Sequence, residues 1–168
     1  YTIIWTFNDG NGNSTTANQT VIMDDITPPA TPTIANVTGE CTVTVTAPTT
    51  TDACSGTITG TSTDPLTYNT QGTYTITWTF NDGNGNSTTA NQTVIVDDVT
   101  PPATPTIANA TGECSVSVTA PTTTDACAGS ITGTTTDPLT YNTQGTYTII
   151  WTFNDGNGNS TTANQTVI

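Results

Sequence analysis

The sequence has no lysine, no arginine and no histidine, against 13 acidic residues. Each absence excludes something. Recognition of phosphate in nucleic acid rests on Lys and Arg, so a nucleic-acid partner is excluded. Attraction to anionic lipid is excluded on the same ground. No side-chain salt bridge and no Lys–Asn cross-link can form. Without His or Lys as a base, and without a cation to clamp a substrate, an enzyme is not expected. Only cations from solution can offset a net charge of −13. Helical periodicity is missing throughout. No apolar run is long enough to insert in a membrane as a helix.

What is present is threonine, 48 of 168 residues. Thr, Val and Ile favour strands through their branched β-carbons, so the fold class is all-β. One stretch occurs three times. Tyr74 to Asp98 reads YTITWTFNDGNGNSTTANQTVIVDD. Tyr1 to Asp25 repeats it with two changes, and residues 147–168 are identical to residues 1–22. Tyr74, Ile76, Trp78 and Phe80 alternate with threonines, as in a strand buried on one face. Asp82-Gly83-Asn84-Gly85-Asn86 carries two overlapping turn dipeptides. Ser87 to Val96 leads back, which makes the stretch a β-hairpin.

Self-comparison sets the layout. Phe7, Phe80 and Phe153 are 73 residues apart, and residues 27–95 and 100–168 differ at seven positions. This predicts the final hairpin of a preceding repeat at 1–26, a repeat at 27–99 and a second at 100–168, as a window on a longer tandem array. Each repeat opens on a Pro-rich joint, Thr27 to Pro32, expected to be short and stiff. Strands are expected at Thr33–Asn36, Cys41–Ala47, Gly56–Thr63 and Leu66–Tyr68, with Pro48–Ala53 a loop. Such short strands in this span predict tandem immunoglobulin-like β-sandwiches joined by short Pro-rich linkers. The expected core of a repeat is Ile34, Val43, Val45, Ile58, Leu66, Tyr74, Ile76, Trp78, Phe80, Val94 and Val96. So small a core is marginal on burial alone.

Four cysteines suggest an oxidising, extracellular setting. They allow three pairings. The repeat favours Cys41–Cys54 with Cys114–Cys127, each loop contributing about 3 kcal/mol. Free thiols or bridges between repeats are the alternative.

Cys41 to Asp98 resembles a hyalin-repeat (HYR) domain. The shared marks are Cys-x-Val-x-Val before a proline, Thr-Asp-Ala-Cys, the Tyr-x-Ile-x-Trp-x-Phe-x-Asp-Gly-x-Gly-Asn hairpin and Thr-Val-x-Val-Asp-Asp. Many such modules carry a further Cys in the last strand, and Ser87 to Val96 has none. The near-identical, cation-free, Thr-rich arrays also resemble the repeat regions of giant surface adhesins of gliding flavobacteria. That resemblance implies a filament on the bacterial cell surface that serves attachment and gliding motility.

The function expected is therefore a structural stalk or spacer, whose partners are the neighbouring repeats of the same chain. The alternatives are repeats that themselves bind an extracellular surface or polysaccharide multivalently, or a self-assembling filament. No cofactor is required. Calcium is the one ion the acids suit, since oxygen-only ligands on loops are its usual site. The acid pair that closes one repeat should approach the hairpin turn of the next. That predicts Asp24 and Asp25 with Asp82, Asn84 and Asp52, and Asp97 and Asp98 with Asp155, Asn157 and Asp125. The competing reading of Asp-Gly-Asn-Gly-Asn is plain turn chemistry.

Overall fold

A computed structural model describes all of residues 1–168. The fold is all-β and immunoglobulin-like, and no residue is helical. Strands β1 (Thr2–Asn8) and β2 (Ser14–Thr20) form the leading hairpin. The first full repeat contains β3 (Val37–Gly39), β4 (Val43–Thr44), β5 (Thr49–Asp52), β6 (Gly56–Thr59), β7 (Thr67–Tyr68), β8 (Gly72–Asn81) and β9 (Ser87–Val96). The second contains β10 (Val116–Ser117), β11 (Thr122–Asp125), β12 (Gly129–Thr132), β13 (Thr140–Tyr141), β14 (Tyr147–Asn154) and β15 (Ser160–Val167).

In the first repeat β9 is central, antiparallel to β8 and parallel to β3. An antiparallel bridge, Thr61 to Thr79, extends the outer edge of β8. Facing this sheet is the pair β4–β7, and β5–β6 forms a side hairpin. The second repeat has the same pairs, with β3 reduced to one parallel bridge, Ala110 to Val167.

The core lies between the faces. Val43, Val45, Ile58 and Tyr68 pack on Ile76, Trp78, Phe80, Val94 and Val96. The alternation along β8 decides this: Ile76, Trp78 and Phe80 are buried while Thr75 and Thr77 face solvent. Three expectations are corrected. Leu66 is 40% exposed, just past the Asp64-Pro65 turn, and Tyr68 takes its place inside. Ile34 and Tyr74 only border the core, Ile34 in a segment without ladder bonds. Polar satisfaction inside is local. Trp78 Nε1 donates to Gln92 Oε1 at 2.9 Å, and Gln92 Nε2 donates to Ala35 O at 3.0 Å. The second repeat repeats both bonds with Trp151, Gln165 and Ala108. Tyr74 Oη donates to Thr70 O at 2.8 Å, and Tyr147 Oη to Thr143 O at 3.0 Å. A tyrosine tied to backbone a few residues upstream is a corner found in immunoglobulin-like sandwiches.

Strand bounds differ from expectation in the first half of the repeat. Thr49–Asp52, expected as loop, is a strand paired with Gly56–Thr59. Cys41–Ala47 contributes only Val43–Thr44 to a ladder, and the matching segment of the second repeat contributes only Val116–Ser117. The Pro-rich segment is not a free linker. Ala30 N donates to Thr51 O at 3.1 Å and Thr50 Oγ1 to Ala30 O at 2.5 Å, which dock it along β5. Ala103, Thr124 and Thr123 reproduce this in the second repeat.

Candidate functional site: the joint between repeats

The hairpin tip folds around its first acid. Asp82 Oδ1 accepts from Asn84 N at 2.8 Å and Asn86 N at 3.0 Å, and Gly83 and Gly85 take φ of +82° and +107°. Only glycine adopts such angles without cost, which explains the Gly-Asn-Gly spacing. Asp155 binds Asn157 N and Asn159 N in the same way. Burial alone would raise the carboxyl pKa of Asp82 and of Asp155. The amide donors of the turn outweigh it, so both lie below the ordinary carboxylate value.

With its backbone so occupied, the tip presents two side-chain amides to the chain that enters the repeat. Asn157 Nδ2 donates to Asp98 Oδ2 at 3.0 Å, and Asn159 Nδ2 donates to Asp98 O at 2.8 Å. At the preceding joint, Asn84 Nδ2 donates to Asp25 Oδ2 at 3.0 Å and Asn86 Nδ2 to Asp25 O at 3.0 Å. From the other side, Gln71 Oε1 accepts from Asp98 N at 2.8 Å, and Gln71 Nε2 donates to Glu40 O at 2.9 Å. Thr100 Oγ1 reaches both Glu40 carboxylate oxygens at 2.9 Å. Asp98 is thereby gripped by both repeats and is only 3% exposed.

A covalent bond crosses the same joint. Cys41 of the first repeat is bridged to Cys127 of the second, with their Cα atoms 4.9 Å apart. Cys54 and Cys114 are free and exposed. The expected pairs Cys41–Cys54 and Cys114–Cys127 are therefore corrected. The reason is placement. Cys127 sits in the tight turn between β11 and β12, its N–H on Asp125 Oδ1 at 2.8 Å, and that turn faces the preceding repeat. Cys41 sits at the opposite end of its own sandwich, beside Glu40 and the exit of β9.

The acids gather in three groups, one of which, Glu40 and Asp98 beside Cys127, includes the bridged cysteine. Carboxylate oxygens of Asp98, Asp125 and Asp155 all lie within 4.8 Å of one another. Asp125 Oδ2 and Asp155 Oδ2 are buried and accept no hydrogen bond. At the preceding joint the group is Asp25, Asp52 and Cys54. The charge of Asp25 first, then burial and Asp52, raises the Cys54 thiol pKa. Asp24 and Asp97 are exposed and belong to none of these groups. Asp82 serves its own turn, and Asn84 and Asn157 act as amide donors to the entering aspartate rather than as acids' companions. Reading the sequence did not place Gln71, Glu40, Asn86 or Asn159 at the joint. Their signal was only their recurrence at the 73-residue period.

A concavity of about 350 Å³ lies at the far end of the second repeat, lined by Glu113, Cys114, Gln144, Tyr147 and Ile168 among others. No helix of the protein is long and apolar enough to cross a membrane. In comparison with known proteins, the chain matches no family and no curated protein.

Proposed function

We propose that the chain is a length of extracellular stalk: tandem immunoglobulin-like repeats of the hyalin-repeat kind, spacing the adhesive part of a bacterial surface filament away from the cell. The observation that carries this reading is the joint. Asp25 and Asp98 are held by the same pairs of asparagines in the same geometry, so each repeat is set on the last in one orientation. A defined joint repeated many times makes a fibre with reach, which a flexible linker does not. The disulfide adds an oxidising, extracellular context. Service in surface attachment and gliding motility is the role this reading gives the whole filament. Beads coated with the 168-residue chain, or with a longer array, should attach to glass and polysaccharide under flow no better than blank beads. Attachment that rises with repeat number would make the repeats the adhesive and overturn the spacer.

We further propose that calcium occupies the joint. Two oxygens bound to one Ca²⁺ at about 2.4 Å can be no more than about 4.8 Å apart, and the Asp98, Asp125 and Asp155 carboxylates meet that limit. Like charges at such separations repel by about 4 kcal/mol per pair at an effective dielectric near 20. No Lys or Arg exists to relieve them. Asp125 Oδ2 and Asp155 Oδ2, buried without donors, are the oxygens free to bind. Calcium at about a hundred times its dissociation constant should stabilise the chain by about 2.7 kcal/mol. The paired change Asp125→Asn and Asp155→Asn should abolish that gain. Equal melting temperatures in calcium and in chelator would end the proposal.

A further inference from the structure

The bridge joins the first cysteine of one repeat to the second cysteine of the next. Shifted by the 73-residue period, the same rule leaves Cys54 facing any repeat that precedes and Cys114 facing any repeat that follows. Both ends are already built as half-joints. Cys54 N donates to Asp52 Oδ1 at 2.8 Å, as Cys127 N does to Asp125 Oδ1 at 2.8 Å. Beside it, Asn84 and Asn86 hold Asp25 as Asn157 and Asn159 hold Asp98. Cys54 is therefore placed as Cys127 is, and differs in having no bonded sulfur and in being exposed. At the other end, Cys114 lies in the concavity formed with Glu113, Gln144 and Tyr147. Their counterparts Glu40 and Gln71 are the groups with which the first repeat grips Thr100 and Asp98.

We propose that the Cys41–Cys127 bond is one rung of a covalent ladder, in which the first cysteine of every repeat bonds to the second cysteine of the next, so that Cys54 and Cys114 are the open rungs for neighbouring repeats of the same kind. Each rung forms when two thiols give up two protons and two electrons to a disulfide oxidant such as oxidised glutathione, which leaves as two reduced molecules. The loops overlap. The loop closed by Cys41–Cys127 spans 86 residues, more than one period, so the next loop opens at Cys114 before the first closes at Cys127. Between the first and last rungs, no single cut of the backbone separates the fibre. Pairing within repeats would protect only the short segments between paired cysteines. The proposal needs neighbouring repeats but no adhesive or spacer role, so its test and the bead experiment fail independently.

The test compares the 168-residue chain with one lengthened by a second copy of residues 27–99 inserted after Val99, both oxidised with glutathione at high dilution. Alkylation in denaturant counts the thiols, and a glutamyl-specific protease then cuts after Glu40 and Glu113 and after the matching residue of the added repeat. The ladder predicts two free thiols per molecule in both chains, one at each end. It also predicts that every fragment after Glu40 stays linked until reductant is added. Replacing the first cysteine of the added repeat with serine should release the last fragment alone and leave three thiols. No free thiols with fragments released at once, or a thiol count that grows with repeat number, would overturn the ladder.

Discussion

Gln92 is a polar side chain inside an apolar core, and both ends of its amide are used, by Trp78 Nε1 and by Ala35 O. Cutting it to alanine strands a buried indole N–H, which costs about 1–3 kcal/mol. The identical hairpin at the start of the chain supplies the control. There Trp5 Nε1 donates to Gln19 at 2.8 Å, but in an exposed setting where water can replace the amide. Urea unfolding should show Gln92→Ala destabilised by about 2 kcal/mol and Gln19→Ala nearly unchanged; equal effects would contradict the assignment. The turn aspartates carry the pH dependence. The side chain of Asn13 and the amides of Asn11 and Asn13 lower the Asp9 pKa. At Asp82 the turn donors overcome burial to the same end. A carboxylate lowered on folding stabilises above its unfolded value, near 3.8, and that contribution is lost as pH falls through the folded value. An NMR titration should place both midpoints below 3.8; midpoints at or above it would remove the turn from the account.

At the scale of elements, two copies of one 22-residue sequence sit in different surroundings. Trp151 is 1% exposed under β10 and β13, and Trp5 is 51% exposed because no such pair lies over β1–β2. Local sequence thus forms the hairpin, with the same register in both copies, and tertiary cover alone decides burial. Tryptophan fluorescence should contain one solvent-exposed, readily quenched component that Trp5→Phe removes; an unchanged quenching profile would refute it. The same contrast explains what could be read in advance. The hairpins and the buried face of β8 were legible because alternation and turn dipeptides are local signals. Thr49–Asp52 was not, since a hydroxyl-rich run after Pro48 has no apolar period and is held as a strand by β6 and by Ala30. Ile34 sits near three prolines, which lack amide donors, so its segment packs without a ladder.

For the whole molecule, the joint carries the account. Its acids were legible as a cluster because they recur beside turns, and Asp98, Asp125 and Asp155 do converge. The bridge was not. The repeat spacing favours pairing within each repeat, and only the three-dimensional placement of Cys41 and Cys127 at facing ends shows the pairing to be offset by one period. The consequence is mechanical. Tension applied at the chain ends passes through the disulfide and bypasses the residues between its cysteines. The measurement that tests this most directly is single-molecule extension from the two termini, oxidised and then reduced. The bridge withholds 86 residues, about 300 Å at roughly 3.5 Å per residue, so reduction should lengthen the fully extended chain by about that much. A gain near 90 Å, which two short loops within the repeats would give at the same reach per residue, or no gain at all, would contradict a stalk whose joints are covalently closed.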